Sequence, residues 1–127
     1  MGKMSRNKGA AAERELFALL SDELGFVVKR NIAQTRGGGA DCVEIPGIAV
    51  EVKRREQMAV PSWWRQACEQ AEKTNCLPIL FYRRSRQPWQ CVIPAHQDNW
   101  EKKLVQWGDA MLWIRENMNV EKIITQD

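Results

Sequence analysis

Residues 48–54, Ile-Ala-Val-Glu-Val-Lys-Arg, decide the architecture. Ile48, Val50 and Val52 fall on one side of an extended chain, and Ala49, Glu51 and Lys53 on the other. β-Branched residues at alternate positions suit a half-buried strand, which the pattern predicts over Ile48 to Arg54. On its second face a carboxylate and an ammonium become neighbours. An exposed edge kept soluble by charge has the same alternation, so the triplet Glu51-Val52-Lys53 is weak evidence by itself.

Working towards the N-terminus, Pro46-Gly47 is a turn pair, and Asp41 to Ile45 reads as a short strand before it. A two-residue loop would pair Ile45 with Ile48 and set Asp41 opposite Val52, on the face away from Glu51. Bringing Asp41 to the Glu51 face requires an odd-length loop or a bulge near Asp41-Cys42. Gln34 to Ala40 contains three consecutive glycines, Gly37 to Gly39, and cannot be regular structure. Such a run permits close backbone approach to a ligand, and it equally suits a flexible surface loop. Phe26 to Ile32 reads as a strand. Ala10 to Leu24 reads as a helix with Gly25 at its C-terminal cap and Leu16, Phe17, Leu20 and Leu24 as its apolar stripe. On a helical wheel Glu13 lies within about 60° of each of those four residues, while Glu15 points away. An acid inside an apolar stripe calls for a cationic partner, or it is a helix-start acid favoured by the dipole.

Towards the C-terminus, Pro61 opens a helix to about Thr74, with Trp64, Ala67, Cys68 and Ala71 as its apolar line and Trp63, Gln66 and Gln70 on its flank. Leu77 to Tyr82 has the length and apolarity of a buried strand, Arg83 to Pro88 form a basic loop, and Trp89 to Ile93 read as another strand. Trp100, Leu104, Trp107, Met111, Ile114 and Met118 recur at helical spacing, which predicts a helical tail with a break near Gly108. The predicted order is α-β-β-β-α-β-β plus that tail, an α/β (α+β) chain with a central mixed sheet flanked by helices.

A chain of 127 residues and 14.7 kDa, 44% hydrophobic and 28% charged, has room for one domain. It needs neither disulfide nor structural metal to fold, and no apolar run approaches the roughly 20 residues that cross a bilayer. Residues 1–8 read as a basic N-terminal arm and 96–127 as a tail of open role within that domain. The first residues lack the apolar stretch of a secretory signal, so a cytoplasmic protein is expected. Cys42, Cys68, Cys76 and Cys91 are isolated singles without metal-ligand spacing and suit small core residues in a reducing compartment. His96 is the one histidine, which excludes sites requiring two. Net charge is +3, and its distribution is uneven. Segments 1–36 and 61–95 each sum to +3, 37–60 to −1 and 96–127 to −2. Basic flanks around an acidic middle suit a polyanionic partner, and charge kept only for solubility gives the same pattern.

The acids of that middle segment, Asp41, Glu44 and Glu51, stand with Glu13 and with Lys53 two residues after Glu51. Carboxylates converging at strand ends can hold Mg²⁺, which takes oxygen ligands and keeps waters. A neighbouring lysine can orient water or offset charge on a phosphate.

With these residues the sequence resembles the PD-(D/E)xK nuclease superfamily and, within it, archaeal and phage-type Holliday junction resolvases. The likeness is carried by NKGAAAERE at 7–15, GGGAD at 37–41 and VEVKRRE at 50–56, then more weakly by WWRQACEQAEK at 63–73 and PILFYRRSRQPW at 78–89. Ala40-Asp41 stands where the family name has Pro-Asp, and the tail after Ala95 has no counterpart. The resemblance implies a restriction-endonuclease-like core and a catalytic set of Glu13, Asp41, Glu51, Lys53 and Gln66. Asp41 and Glu51, with Glu13 beside them, would be ligands to Mg²⁺, with Mn²⁺ as a substitute. It implies a homodimer acting on branched DNA. The expected DNA contacts are Lys3, Arg6, Lys8, Arg30, Arg36, Arg54, Arg55, Arg83, Arg84 and Arg86. Two other functions fit the same residues: a nuclease of this fold acting on flaps, ends or particular duplex sites, and a DNA-binding module without catalysis.

Overall fold

The computed structural model describes residues 2–28 and 45–119, with side chains from residue 9 onward. Its elements are α1 (Gly2–Leu24), β1 (Ile48–Arg54), α2 (Val60–Thr74), β2 (Leu77–Arg83), β3 (Gln90–His96), β4 (Asn99–Val105) and α3 (Trp107–Asn117). Among the described residues the sheet has four strands in the order β1-β2-β3-β4. β1 and β2 are parallel, with Ile48 opposite Leu77 and Arg54 opposite Arg83. β2–β3 and β3–β4 are antiparallel. The architecture is α+β, as the sequence predicts.

A parallel neighbour cannot be reached by a hairpin, and α2 is the crossover that joins β1 to β2. Pro61 sits in its first turn, and Asn75 ends it in the left-handed region at φ 55°, with its N–H directed to the last carbonyls. Trp63, Trp64, Ala67 and Ala71 pack against Leu80, Val92 and Ala49 on one face of the sheet. On the other face Ile48, Ile79, Phe81, Cys91 and Ile93 meet Leu16, Phe17 and Leu20 of α1 and Ala110, Met111 and Ile114 of α3. The sheet is therefore covered on both sides, which is why β2 reads as an uninterrupted apolar run.

Three expectations differ from the structure. The helix at the N-terminus begins at Gly2, so residues 2–8 continue α1 and are not a separate arm. A side chain at Gly9 would meet nothing within 4 Å; it is a tolerated mid-helix glycine of about 1 kcal/mol relative to alanine, not a helix boundary. The tail is not helical throughout. Residues 99–105 form β4, turned back on β3 through Gln97-Asp98, and the helix starts only at Trp107. Finally, Phe26 to Val28 are not in a strand. Gly25 caps α1 at φ +83°, and the Ser21 hydroxyl accepts the Val28 N–H at 2.8 Å, holding the chain as it leaves the helix. Residues 29–32 of that expected strand, and 41–44 of the next, lie outside the described residues.

The Pro46-Gly47 turn is as read. Ile45 bridges Ile48, and the Ile48 N–H donates to the Ile45 carbonyl at 2.9 Å. Gly47 has φ +87°, and a Cβ there would stand 3.4 Å from the Asn119 backbone nitrogen and 3.6 Å from the Asn117 carbonyl oxygen. The Asn119 N–H donates to the Pro46 carbonyl at 2.8 Å, so the chain leaving α3 closes on this turn. A Cβ at Gly47 would make ordinary van der Waals contact, so the cost of Gly47→Ala comes from its positive φ. It is expected to destabilise the fold by about 1 kcal/mol or more in a denaturant titration. An unchanged midpoint would show that the turn relaxes freely.

Candidate active site

The alternation of β1 assigns its side chains to two environments. Val50 and Val52 join the core beneath α1. Glu51 and Lys53 take the other face with Ala49, opposite Leu80 and Tyr82 of β2. Tyr82 in turn packs on Trp63 of α2, with ring centroids 5.7 Å apart. The Lys53 ammonium stands 3.6 Å from Glu51 Oε1, and the two side chains are only 14% and 21% exposed.

This setting makes Glu51 hard to ionise. Burial is the main cause of its raised pKa; Lys53 works against the rise by charge and hydrogen bonding, the Glu13 charge adds to it, and Arg55 opposes it. Glu13 is half-buried on α1, a helix that packs over the opposite face, yet lies within electrostatic reach of Glu51. Its neighbour on the helix fixes the placement. Glu15 accepts a 2.7 Å hydrogen bond and ion pair from Arg83, the last residue of β2 and the register partner of Arg54. The acid-bearing turn of α1 is thereby tied to the C-terminal ends of β1 and β2.

Glu51 and Lys53 are neighbours on one face of β1, and Glu13, on the helix over the other face, is within electrostatic reach of Glu51. Gln66 is exposed on α2, one turn after Trp63. Asp41, Glu44, Arg30, Arg36 and Cys42 lie outside the described residues. Lys3, Arg6 and Lys8 fall in the first turns of α1, and their side chains lie outside the described set as well. Arg55, Arg84 and Arg86 are exposed. Arg83 departs from the expected loop position: it is in β2, 14% exposed, bound to Glu15 and 5.2 Å from the centroid of the Trp89 ring. Arg54 Nη2 donates to Ser85 Oγ at 3.1 Å, and Ser85 Oγ donates to Glu56 at 2.6 Å. Sequence reading missed this network. Glu15 and Arg83 are 68 positions apart, and no local signal joins them.

The cysteines and histidine do not compete for the chemistry. Burial pushes the Cys91 thiol up to about 12, and burial with the Glu72 charge pushes Cys68 up to about 11, so neither is a thiolate at neutral pH. His96 is exposed at the end of β3. Among the described residues no three His, Cys, Asp or Glu side chains are grouped to hold a metal ion, and the expected third carboxylate, Asp41, is outside that set. What the described residues supply is the Glu51 carboxylate with the Glu13 charge within electrostatic reach, oxygen donors of the kind a hard divalent cation takes.

The same chain matches the family model described as "Phage putative PDDEXK endonuclease" over residues 4–126. It belongs to this family, and with it to the PD-(D/E)xK nuclease superfamily. No curated protein and no solved structure matches the chain. No helix among the described residues is long and apolar enough to cross a membrane.

Because Glu51 has a raised pKa in the folded state, the fold binds its proton more tightly than the unfolded chain does. Stability from this residue is present below the ordinary value of 4.5 and is lost as pH rises through the folded value. In metal-free buffer Glu51→Gln is therefore expected to raise the melting temperature at pH 7, and the gain should disappear below about pH 4.5. A variant less stable than wild type at pH 7 would mean that the Lys53 contact outweighs desolvation.

Proposed function

We propose that this protein is a Mg²⁺-dependent endodeoxyribonuclease hydrolysing phosphodiester bonds in branched DNA, most specifically a Holliday junction resolvase, with Mn²⁺ able to replace Mg²⁺. The observation that carries the nuclease reading is the shared, desolvated face of Glu51 and Lys53 on β1, with the Glu13 charge beside it, in a chain of the PD-(D/E)xK family. Asp41 and Glu51 are the metal ligands, with Glu13 beside them. When bound, the ion polarises the scissile phosphate and acidifies water. Lys53 presents its ammonium to the phosphoryl oxygens, where negative charge grows during hydrolysis, and its distance from Glu51 holds it in place without solvent reorganisation. The apolar wall of Leu80, Tyr82 and Trp63 lowers the local dielectric and strengthens both effects. Gln66, on the exposed flank of α2, is placed in the same reading as a positioning residue for substrate.

Branched substrate and homodimer go together, since paired incisions in a four-way junction need two sites related by a two-fold axis. The supporting surface is the β4 edge of the described sheet, where Leu104 is 62% exposed, with Leu112 of α3, 54% exposed, beside the same groove. Antiparallel pairing of β4 with a second copy, centred on Lys102, would set Glu101 opposite Lys103 and Trp100 opposite Leu104, each twice. The two Lys102 ammonium groups have stems long enough to separate into solvent.

Cleavage of a panel of four-way, flap, nicked and linear DNA with Mg²⁺, Mn²⁺ or EDTA tests the function. Asp41→Asn and Glu51→Gln are expected to lower cleavage more than about a hundredfold, while DNA binding persists or tightens because a charge repelling phosphate is removed. Lys53→Ala should lose turnover with less effect on metal affinity. Equal loss of binding and cleavage in all three would identify a structural acid cluster. Resolvase specificity fails if linear duplex is cut as fast as the junction.

Light scattering of eluted protein tests the dimer. Wild type is expected at twice 14.7 kDa and Leu104→Glu at the monomer mass. A monomeric wild type at tens of micromolar, a range typical of weak homodimers, would remove the second half of the proposal.

A further inference from the structure

At the C-terminal ends of β1 and β2 three buried N–H donors have no hydrogen-bond partner among the described residues: Arg54 Nε, Arg83 Nε and Trp89 Nε1. Arg54 and Arg83 are partners on adjacent parallel strands. Both follow the alternation of Val52 and Phe81 onto the face covered by α1, with their backbones about 4.8 Å apart. Trp89 lies under the Arg83 guanidinium. Buried polar groups are ordinarily satisfied, and three orphaned donors in one place require a reason.

Their chemistry narrows what completes them. Guanidinium and indole N–H groups donate and cannot accept, so the missing partner supplies lone pairs. Two of the three belong to cations, so it carries negative charge. Two nearby acids are engaged with other atoms: Glu15 takes Nη2 of Arg83, and Glu56 takes the Ser85 hydroxyl, which itself accepts from Nη2 of Arg54. The Nε side of each guanidinium is left, and this is half of the fork that grips a tetrahedral oxyanion. Glu15 is also the more exposed member of its pair, 47% against 14% for Arg83. A carboxylate in that position can be displaced.

We infer that Arg54, Arg83 and Trp89 form a binding site for a phosphate group of the substrate strand, and that Glu15 holds Arg83 until the phosphate replaces it. The identity of the carrier as DNA rests on the nuclease reading; the donor set does not. The site lies at the end of the strand that bears Glu51 and Lys53, with Arg54 adjoining Lys53 but turned to the opposite face. A strand passing over this end of the sheet would be gripped on one side and presented to Glu51 and Lys53 on the other. The exposed Arg84 and Arg86 then contribute attraction at longer range.

Anisotropy of a labelled duplex in EDTA measures this without cleavage. Arg83→Gln is expected to weaken binding about tenfold and to lower the slope of log affinity against log salt by about one. Trp89→Phe keeps an aromatic ring beneath Arg83 and the net charge while removing the donor along with part of the indole surface, so it should weaken binding several-fold with the salt slope unchanged. Glu15→Gln should tighten binding, and that gain should vanish in the Glu15→Gln/Arg83→Gln double variant. If Arg83→Gln does not fold, Trp89→Phe and Glu15→Gln carry the test. The inference is overturned if both bind as wild type, or if Glu15→Gln tightens equally in the Arg83→Gln background, which would make Glu15 a general repulsive charge. Duplexes with and without a 5′-phosphate separate the sources: equal affinity assigns an internal phosphodiester, and dependence on the end group assigns a terminal phosphate, each supporting the site. Wild-type binding with this pattern but no Mg²⁺-dependent cleavage would defeat the nuclease reading and keep the phosphate site. Cleavage with flat responses in Trp89→Phe and Glu15→Gln would do the reverse.

Discussion

Parallel pairing of β1 with β2 is the constraint on which the remainder depends. In an antiparallel pair the end of one strand lies beside the start of the next, whereas in a parallel pair both C-terminal ends emerge together. The register aligns Glu51 with Leu80, Lys53 with Tyr82 and Arg54 with Arg83, so the charged ends of both strands are gathered at one end of the sheet. Crevices outside the carboxyl ends of parallel strands are where open α/β sheets place their ligands, for the same geometric reason. The crossover also places α2 over the face that carries Glu51, with Trp63 packed on Tyr82, the register partner of Lys53.

Within that end, strand alternation sorts the charges. Lys53 and Arg54 are adjacent in sequence but take opposite faces, so the acid and ammonium share the α2 side while the two guanidiniums share the α1 side. α1 repeats the separation with helical geometry. Glu13 and Glu15 are about 200° apart around the axis, and they act on different groups, Glu51 and Arg83 respectively. A two-residue interval therefore means the same side on β1 and nearly opposite sides on α1. Bringing the two elements together sets Glu13 within electrostatic reach of Glu51 and Glu15 on Arg83 around a single strand end, the division that the proposed cation and phosphate sites would require.

How much of this was legible in the sequence depends on the range of the interactions. β1 was read with its bounds intact, because period-two alternation and the Pro46-Gly47 turn are local signals, and α2 and β2 were read to within a residue at either end. Glu13 stood out because an acid within an apolar stripe is also a local contradiction. The tail was misread for a definable reason. Trp100 and Leu104 are four apart, an interval that keeps residues on one face of a helix and also on one face of a strand. Only the three-residue step from Leu104 to Trp107 discriminates, and it crosses the junction at Gln106 between β4 and α3. Trp100 packs as a strand residue against the α2 cluster, and its carbonyl accepts the Trp64 indole N–H at 2.7 Å. The Arg83–Glu15 pair and the orphaned donors at Arg54, Arg83 and Trp89 depend on tertiary placement, for which the sequence offers only composition.

The register at Ile45 and Ile48 sharpens what the proposed metal site requires. With these two residues bridged, the odd-length loop that would align Asp41 with Glu51 is excluded, and uninterrupted pairing backwards from Ile45 would set Asp41 opposite Val52. Side chains repeat every two residues, so one inserted residue between Asp41 and Ile45 turns the aspartate to the Glu51 face and two return it to the wrong one. A β-bulge is such a one-residue insertion, and bulges occur beside active sites because they re-aim a single side chain while the pairing on either side continues. If the pairing were to continue beyond Ile45, it would have to shift by an odd number of residues before Asp41 could share the proposed metal with Glu51.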